Sequence, residues 1–265
     1  MSRRRIDVLL AERGLAGSRT SAAESVRAGR VRIGSDGPFA IKPGQLVAED
    51  AELLLTEPQP YVSRGGIKLE NALEQLGIDV EGRDCLDVGA STGGFTDCLL
   101  KRGAGRVIAL DVARGQLDWR LRNDPRVVVI ERRNARELDP GELPFEVSLA
   151  TADLSFISLA KVMPALASCV PPGGELLALV KPQFELDAKR VGRGGVVRSA
   201  PDRRDALRGA AAAARVEGLG VRGFAASGLP GPKGNRETFI WCARGAADAV
   251  DVERLLEDVE PEGGG

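Results

Sequence analysis

Asp87-Val88-Gly89-Ala90-Ser91-Thr92-Gly93-Gly94-Phe95 is the segment whose residue types and spacing first suggest chemistry. Glycines at 89, 93 and 94 permit a tight turn and let a ligand approach bare main chain. An apolar stretch precedes the turn and a helical pattern follows it. Asp111 ends the next apolar stretch, 22 residues after Gly89, where a carboxylate can bond both hydroxyls of a ribose. Strand, glycine turn, helix and distal acid together imply a nucleoside-bearing cofactor. NAD and S-adenosyl-L-methionine compete for that role. The spacing is Gly-x-x-x-Gly-Gly and not Gly-x-Gly-x-x-Gly, and Asp87 stands two residues before the first glycine. A pyrophosphate would be repelled there, whereas a sulfonium with an amino-acid tail would be attracted. S-adenosyl-L-methionine is the expectation, with NAD and a ligand-free turn as the alternatives.

The chain contains no histidine, which excludes Ser-His-Asp and Cys-His catalysis and any histidine base or zinc ligand. Only seven of its 37 basic residues are lysine. Lys181 closes the apolar run Leu176–Val180, and Asp153 closes the run from Val147 to Ala152, so both are expected at the ligand edge of a sheet. Lysine, unlike arginine, can give up its proton when desolvated and so act as a base. A structural ion pair is the alternative for these two. Phe156 follows closely in a chain with 4% aromatic residues, and either stacks on a displaced base or belongs to the core.

The elements that must position these groups follow from periodicity. Short apolar runs at 85–88, 107–110, 127–130, 147–152 and 176–180 alternate with helical patterns at 93–102, 115–122, 158–169 and 202–217, and a further strand pair is expected near 220–226 and 237–243. Such alternation predicts an α/β fold: a Rossmann-like, doubly wound, mostly parallel sheet binding ligands at the carboxyl ends of its strands. Before it, residues 1–57 read as a small α+β domain, two short helices and then short strands. The first helix is expected to end near Gly14. Ser18 or Ser21 is expected to cap the second, Ser21 and Glu24 making a possible capping box. The proline-marked segment 58–62 is expected to be a linker, with the larger domain at 63–265 and a frayed glycine tail at 263–265.

A length of 265 residues suits two such domains, and 43% hydrophobic and 28% charged residues suit a soluble protein. No apolar run approaches a membrane span, and the Met-Ser-Arg-Arg-Arg start lacks the pattern of a secretory signal, so a cytoplasmic protein is expected. Four dispersed cysteines are expected to be buried thiols, with no metal site. Net charge is −1, yet residues 1–32 hold eight arginines against Asp7, Glu12 and Glu24, a local balance of +5. A basic head of this kind fits a polyanion; a solvated charged face is the alternative.

Two resemblances sharpen these expectations. Arg5-Ile6-Asp7-x-Leu9-Leu10, Gly14-Leu15, Ser18-Arg19, Ala28-Gly29-Arg30-Val31 and Lys42-Pro43-Gly44 resemble the small RNA-binding fold first named in the S-four ribosomal protein. That resemblance implies RNA contacts from Arg5, Arg19, Arg27, Arg30 and Lys42. The remainder is similar to the FtsJ-type ribose methyltransferases, whose Lys-Asp-Lys-Glu tetrad matches Lys68, Asp153, Lys181 and Glu237 in order. Nothing in spacing alone brings Lys68 and Glu237 beside the other two. Taken whole, the chain resembles the TlyA, or haemolysin A, family of ribosomal RNA 2′-O-methyltransferases, through Ser63-Arg64-Gly65-Gly66-x-Lys68-Leu69, Asp153-Leu154-Ser155-Phe156-Ile157-Ser158, Lys181-Pro182-Gln183-Phe184-Glu185 and Pro230-Gly231-Pro232-x-Gly234-Asn235-x-Glu237. The resemblance implies methylation of cytidine ribose in ribosomal RNA within ribosomal subunits. By analogy with other methyltransferases, Asn134 is expected to touch the adenine. Asp87, Asp111, Asp153 and residues 89–95 are expected to line the cofactor site. Arg64 is expected to contact RNA or brace the domain interface. A monomer or weak oligomer is expected. The competing readings are a ribosome-associated RNA-binding protein without activity and a membrane-lytic protein.

Overall fold

The computed structural model describes residues 2–27, 29–35, 37–56, 60–192, 194–231, 233–249 and 251–260. The chain forms two compact units, 1–62 and 63–265. The expected linker falls partly on residues 57–59, and the expected frayed tail wholly on 263–265, outside the described residues.

In the first unit, β1 (Arg3–Arg5) runs directly into α1 (Ile6–Glu12), followed by α2 (Arg19–Arg27), β2 (Val31–Ile33), β3 (Leu46–Ala48) and β4 (Leu53–Leu55). Strand β1 pairs antiparallel with β3, and β2 with β4. The arginine head is thus partly a strand, a role its charge conceals. Helix α1 ends before Gly14, which sits at φ 68° in the following turn. Ser18 Oγ accepts from Ser21 N at 3.1 Å, so Ser18 caps α2; Ser21 lies inside the helix, and the Ser21–Glu24 capping box does not form. Ile6, Leu9, Leu10, Ala22, Val26, Val31, Val47 and Leu53 form this unit's own core.

The second unit opens with α3 (Arg64–Leu76), stopped by Gly77 in the left-handed conformation. Next come β5 (Asp84–Val88), α4 (Gly94–Lys101), β6 (Arg106–Asp111), α5 (Trp119–Arg122), β7 (Val127–Glu131), β8 (Leu149–Ala152), α6 (Met163–Ser168), β9 (Glu175–Val180), α7 (Pro182–Glu185), α8 (Ala200–Val216), β10 (Leu219–Ala226), β11 (Thr238–Arg244) and α9 (Val252–Val259). One seven-stranded sheet has the order β10-β11-β9-β8-β5-β6-β7. Strands β5 to β9 are parallel to their neighbours among themselves, and β11 is antiparallel to both β9 and β10. The doubly wound, mostly parallel α/β sheet expected from periodicity is present. Chain order reverses between β5 and β8, and at such a switch point the diverging loops open a crevice.

Burial explains why the central strands read as unbroken apolar runs. Every residue of β8 is buried, because helices cover both faces of a parallel sheet. Ala206, Leu207, Ala210, Ala211 and Ala214 of α8 join the core beside Leu219 and Val221 of β10. The helix expected over 115–122 is shorter, since Gly115 adopts φ 71° and only Trp119–Arg122 turns as helix. The helix expected over 158–169 divides into a 3-10 turn, Leu159–Lys161, and α6, with Pro164 in the first turn of the latter. All four cysteines are buried free thiols, as expected. Among the described residues no helix is long and apolar enough to cross a membrane.

Candidate active site

The switch point carries the glycine turn. Gly89 (φ 88°) and Gly93 (φ 98°) hold conformations that L side chains rarely adopt, and Ser91 shares that region at φ 50°. A Cβ on Gly89 would stand 2.5 Å from the Asp153 carbonyl oxygen, and one on Gly94 would strike Ser63 Oγ and the Gly66 backbone. The turn is therefore packed on one side by the end of β8 and on the other by the start of α3. Gly89 N and Ala90 N both donate to Leu110 O, tying the turn to β6. Asp111 Oδ2 accepts from Ser91 N, and its Oδ1 from Ala113 N, both at 2.7 Å. Each oxygen keeps a lone pair for a ligand.

Two hollows meet at Ala90 and Ser91. The larger, an open cleft of about 600 Å³, is lined by Ser63 to Gly65, Lys68, Gly89 to Thr92, Gly94, Phe95, Asp153 and Pro230. The smaller, about 210 Å³, is lined by Asp111, Ala109, Ala113, Gln116, Leu117, Val129 and Glu131 as well. Sequence reasoning missed Gln116, Leu117 and Glu131, which no spacing rule marks. Asn134 lines neither hollow: its side chain caps a short 3-10 turn by accepting from Arg136 N at 3.1 Å. Asp87 is likewise set back from both hollows. It is fully buried behind the turn, where Thr96 Oγ1 donates to its Oδ2 at 2.6 Å, and it lines neither hollow.

Burial raises the Asp87 carboxyl to about 7; the Thr96 hydrogen bond opposes this, while the charges of Asp153 and Asp111 add to it. An unfolded Asp releases its proton near 3.8. The folded protein thus holds a proton that the unfolded chain has lost, so this group's contribution to stability is complete below about 4 and is lost as pH rises to about 7. Asp87→Asn should remove that slope. Urea unfolding between pH 4 and 8 should show its stability relative to wild type rising by roughly a few kcal/mol; parallel curves would refute the assignment.

The four tetrad residues form two ion pairs. Lys68 rises from the second turn of α3 and meets Glu237, just before β11, with Nζ 2.5 Å from Oε2; both are buried. Lys181, just after β9, meets Asp153, just after β8, with Nζ 2.5 Å from Oδ1, and also donates to Ser155 Oγ at 3.0 Å. Lys68 and Asp153 line the same cleft. Because Thr238 pairs with Val180, Glu237 and Lys181 are the next residues of two antiparallel neighbours. That register is what spacing could not supply. Glu237 Oε1 is buried with no hydrogen-bond partner, and Gly231 packs against it so closely that a Cβ there would collide.

The loops around the pairs are fastened by groups that sequence reasoning left without roles. Asn235, buried, donates through Nδ2 to Gly195 O at 2.7 Å and accepts from Val197 N at 2.9 Å, joining two loops. Glu185 accepts from Ser158 Oγ at 2.6 Å and from Leu159 N at 2.9 Å. Between these ties Phe156 stands at φ 65°, 91% exposed, its ring 5.3 Å from that of Phe184. A core role for Phe156 is excluded. Arg64, exposed, donates to Pro230 O at 2.9 Å and so braces the β10–β11 connection.

In the first unit, seven of the eight arginines divide into two kinds. Arg4 meets Glu12 and Glu49, Arg13 donates to the carbonyls of Glu49 and Ala51, and Arg32 donates to Ser35 O and lies over the Phe39 ring. These serve the fold. Arg5 and Arg19 converge on Asp7, Arg30 donates to Thr56 O, and Arg27 and Lys42 are exposed.

Comparison with known proteins agrees with this geometry. Residues 61–244 match the FtsJ-like methyltransferase family. The chain is 50% identical over 261 residues to the 16S/23S rRNA (cytidine-2′-O)-methyltransferase TlyA of Mycobacterium tuberculosis, covering 97% of this chain and 96% of that one. It is 40% identical over 195 residues to Hemolysin A of Brachyspira hyodysenteriae, covering 73% and 80%. A solved structure from Streptococcus thermophilus carrying the hemolysin name superposes with a TM-score of 0.76 at 39% identity, over 98% of this chain and 94% of that one. With the glycine turn, the paired tetrad and near-complete coverage of these relatives, the chain belongs to the FtsJ-like methyltransferases and, within them, to the TlyA family.

Proposed function

We propose that the protein transfers a methyl group from S-adenosyl-L-methionine to the 2′-oxygen of cytidine ribose in ribosomal RNA, acting on ribosomal subunits in the cytoplasm. The observation that carries the reading is the pair of lysine–carboxylate contacts, Lys68–Glu237 and Lys181–Asp153, beside a glycine cradle at the switch point of the sheet. The cradle suits the cofactor: bare backbone at Gly89 and Gly94 leaves room that a Cβ would fill, and Asp111 offers a carboxylate at the end of β6. Asp153 adds negative charge in the cleft, which favours a cation. The cofactor, when bound, supplies a methyl group on a cationic sulfur for in-line transfer to the ribose oxygen.

The chain's own residues then have distinct tasks. Lys181, held between Asp153 and Ser155, orients the 2′-hydroxyl or accepts its proton. Asp153 and Glu237 hold the two lysines in position by ion pairing, and Lys68 holds the target nucleotide near its ribose or phosphate. Much of the acceleration comes from positioning, because the reacting groups arrive already oriented. Phe156, exposed three residues after Asp153 and backed by Phe184, offers a face on which a displaced base can stack. In the 1–62 unit, Arg5, Arg19, Arg27, Arg30 and Lys42 are the proposed phosphate contacts of an S-four-like RNA-binding domain, and Arg64 a contact at the catalytic unit.

The reading is tested by incubating the protein with labelled S-adenosyl-L-methionine and unmethylated ribosomal subunits, then digesting the RNA to nucleosides. Label in 2′-O-methylcytidine supports it. Cofactor binding with no label in either subunit's RNA would sink it.

A further inference from the structure

Asp7 is the one acidic residue of the basic head that is buried, with 2% of its surface exposed, and it is buried beneath two arginines. Arg5 grips it with two parallel bonds, Nε to Oδ1 at 3.0 Å and Nη2 to Oδ2 at 2.8 Å. Arg19, twelve residues on and at the start of α2, donates Nε to the same Oδ2 at 3.2 Å. Two guanidinium groups from different elements therefore converge on one carboxylate oxygen. Their outer parts stay open to solvent, with 47% and 60% of the side chains exposed. The Lys42-Pro43-Gly44 turn closes on the same place: Asp7 N donates to Pro43 O, and the Arg5 guanidinium lies against Gly44 closely enough that a Cβ would stand 3.3 Å from Nη1. Arg5 uses one fork face, and Arg19 a single donor, on Asp7; each guanidinium has five donors in all.

Without a central carboxylate, two guanidiniums this close would repel and fan apart. With it they form a fixed unit that retains a net positive charge and several unused N–H groups, the arrangement that planar arginine forks use on phosphate. The Asp7 carboxyl is held down at about 2, chiefly by the Arg5 hydrogen bond, so the unit stays intact across the pH range in which ribosomes are handled.

We infer that Asp7 is a positioning residue for RNA: its buried carboxylate fixes Arg5 and Arg19 as a paired fork for a backbone phosphate. The inference rests on the reading of the 1–62 unit as RNA-binding. It makes a prediction opposite in sign to charge counting. Asp7→Asn adds one positive charge to the face, so simple electrostatics demands tighter RNA binding, whereas loss of the fixed fork demands weaker binding.

The test measures binding of the full-length protein to unmethylated ribosomal subunits across a salt series, with circular dichroism melting as a check on folding. Asp7→Asn is expected to bind about five- to tenfold more weakly despite its extra charge, and Arg5→Lys and Arg19→Lys several-fold more weakly at unchanged charge. Arg19→Ala is expected to lower the slope of log affinity against log salt by about one. Asp7→Asn binding as tightly as wild type, or more so, overturns the inference. If Asp7→Asn fails to fold, the Arg→Lys variants, which keep the carboxylate, decide: wild-type affinity in both overturns it and loss supports it. The Arg5→Ala, Arg19→Ala double variant separates the two levels. No loss of binding there overturns the RNA-binding reading and this inference with it, whereas loss there with undiminished binding by Asp7→Asn overturns this inference alone.

Discussion

Gly89→Ala is expected to lose S-adenosyl-L-methionine binding and methyl transfer together, with a fall in kcat/KM on the order of a hundredfold or more, the scale on which small misplacements in an active site act. Two costs coincide at this position. The backbone stands at φ 88°, where a Cβ is unfavourable by about 1–2 kcal/mol. The new methyl would also lie 2.5 Å from the Asp153 carbonyl oxygen, which belongs to the backbone and cannot swing away. Relief requires the end of β8 to move, and that end carries Asp153, the partner of Lys181. One substitution thus disturbs the cradle and the reaction centre at once. Gly115→Ala is the control: it also has positive φ, but nothing lies within 4 Å of its Cβ position, so strain should come without a clash. Calorimetric titration of cofactor into both variants distinguishes them, and unchanged affinity in Gly89→Ala would contradict the cradle.

Glu237→Ala should carry the largest stability cost of the tetrad variants. It strands the Lys68 ammonium in a site where both partners are almost wholly buried. Breaking a buried pair from one side typically costs about 3–5 kcal/mol, because the remaining charge stays desolvated, whereas replacing both partners with apolar groups is often close to neutral. Urea unfolding should therefore show Glu237→Ala destabilised by roughly that amount and the Lys68→Met, Glu237→Leu double variant recovering most of it. Both should be inactive. A double variant no more stable than Glu237→Ala would mean that the pair, and not the unpaired ion, holds this corner of the fold together. Recovery of stability without activity would show that Lys68 and Glu237 are kept for chemistry.

Much of the sheet was legible because a strand buried on both faces must be apolar throughout. Val107–Leu110 and Leu176–Val180 could be read as strands for that reason, and the glycine turn could be placed because glycine best tolerates the positive φ that positions 89 and 93 adopt. What was illegible is whatever depends on register or on a third dimension. Strand β1 hides beneath three arginines, since a strand on a small two-stranded sheet needs no apolar run. Helix α9 went unseen, although Glu260 just beyond it reaches Arg203 in a buried ion pair. The meeting of Lys68 with Glu237, 169 positions apart, follows from the insertion of β11 between β9 and β10 and came only through resemblance. Asp87 and Asn134 also make local hydrogen bonds that spacing does not announce, accepting from Thr96 Oγ1 and Arg136 N.

The most direct test compares wild type with Lys181→Ala on unmethylated ribosomal subunits, mapping modified riboses by their resistance to alkaline cleavage. Wild type should protect discrete cytidine positions. Lys181→Ala should protect none while binding S-adenosyl-L-methionine as tightly as wild type, because its Nζ contacts Asp153 and Ser155 and lies outside the glycine cradle. A Lys181→Ala enzyme that methylates the same riboses at near-normal rate would contradict the account at its centre.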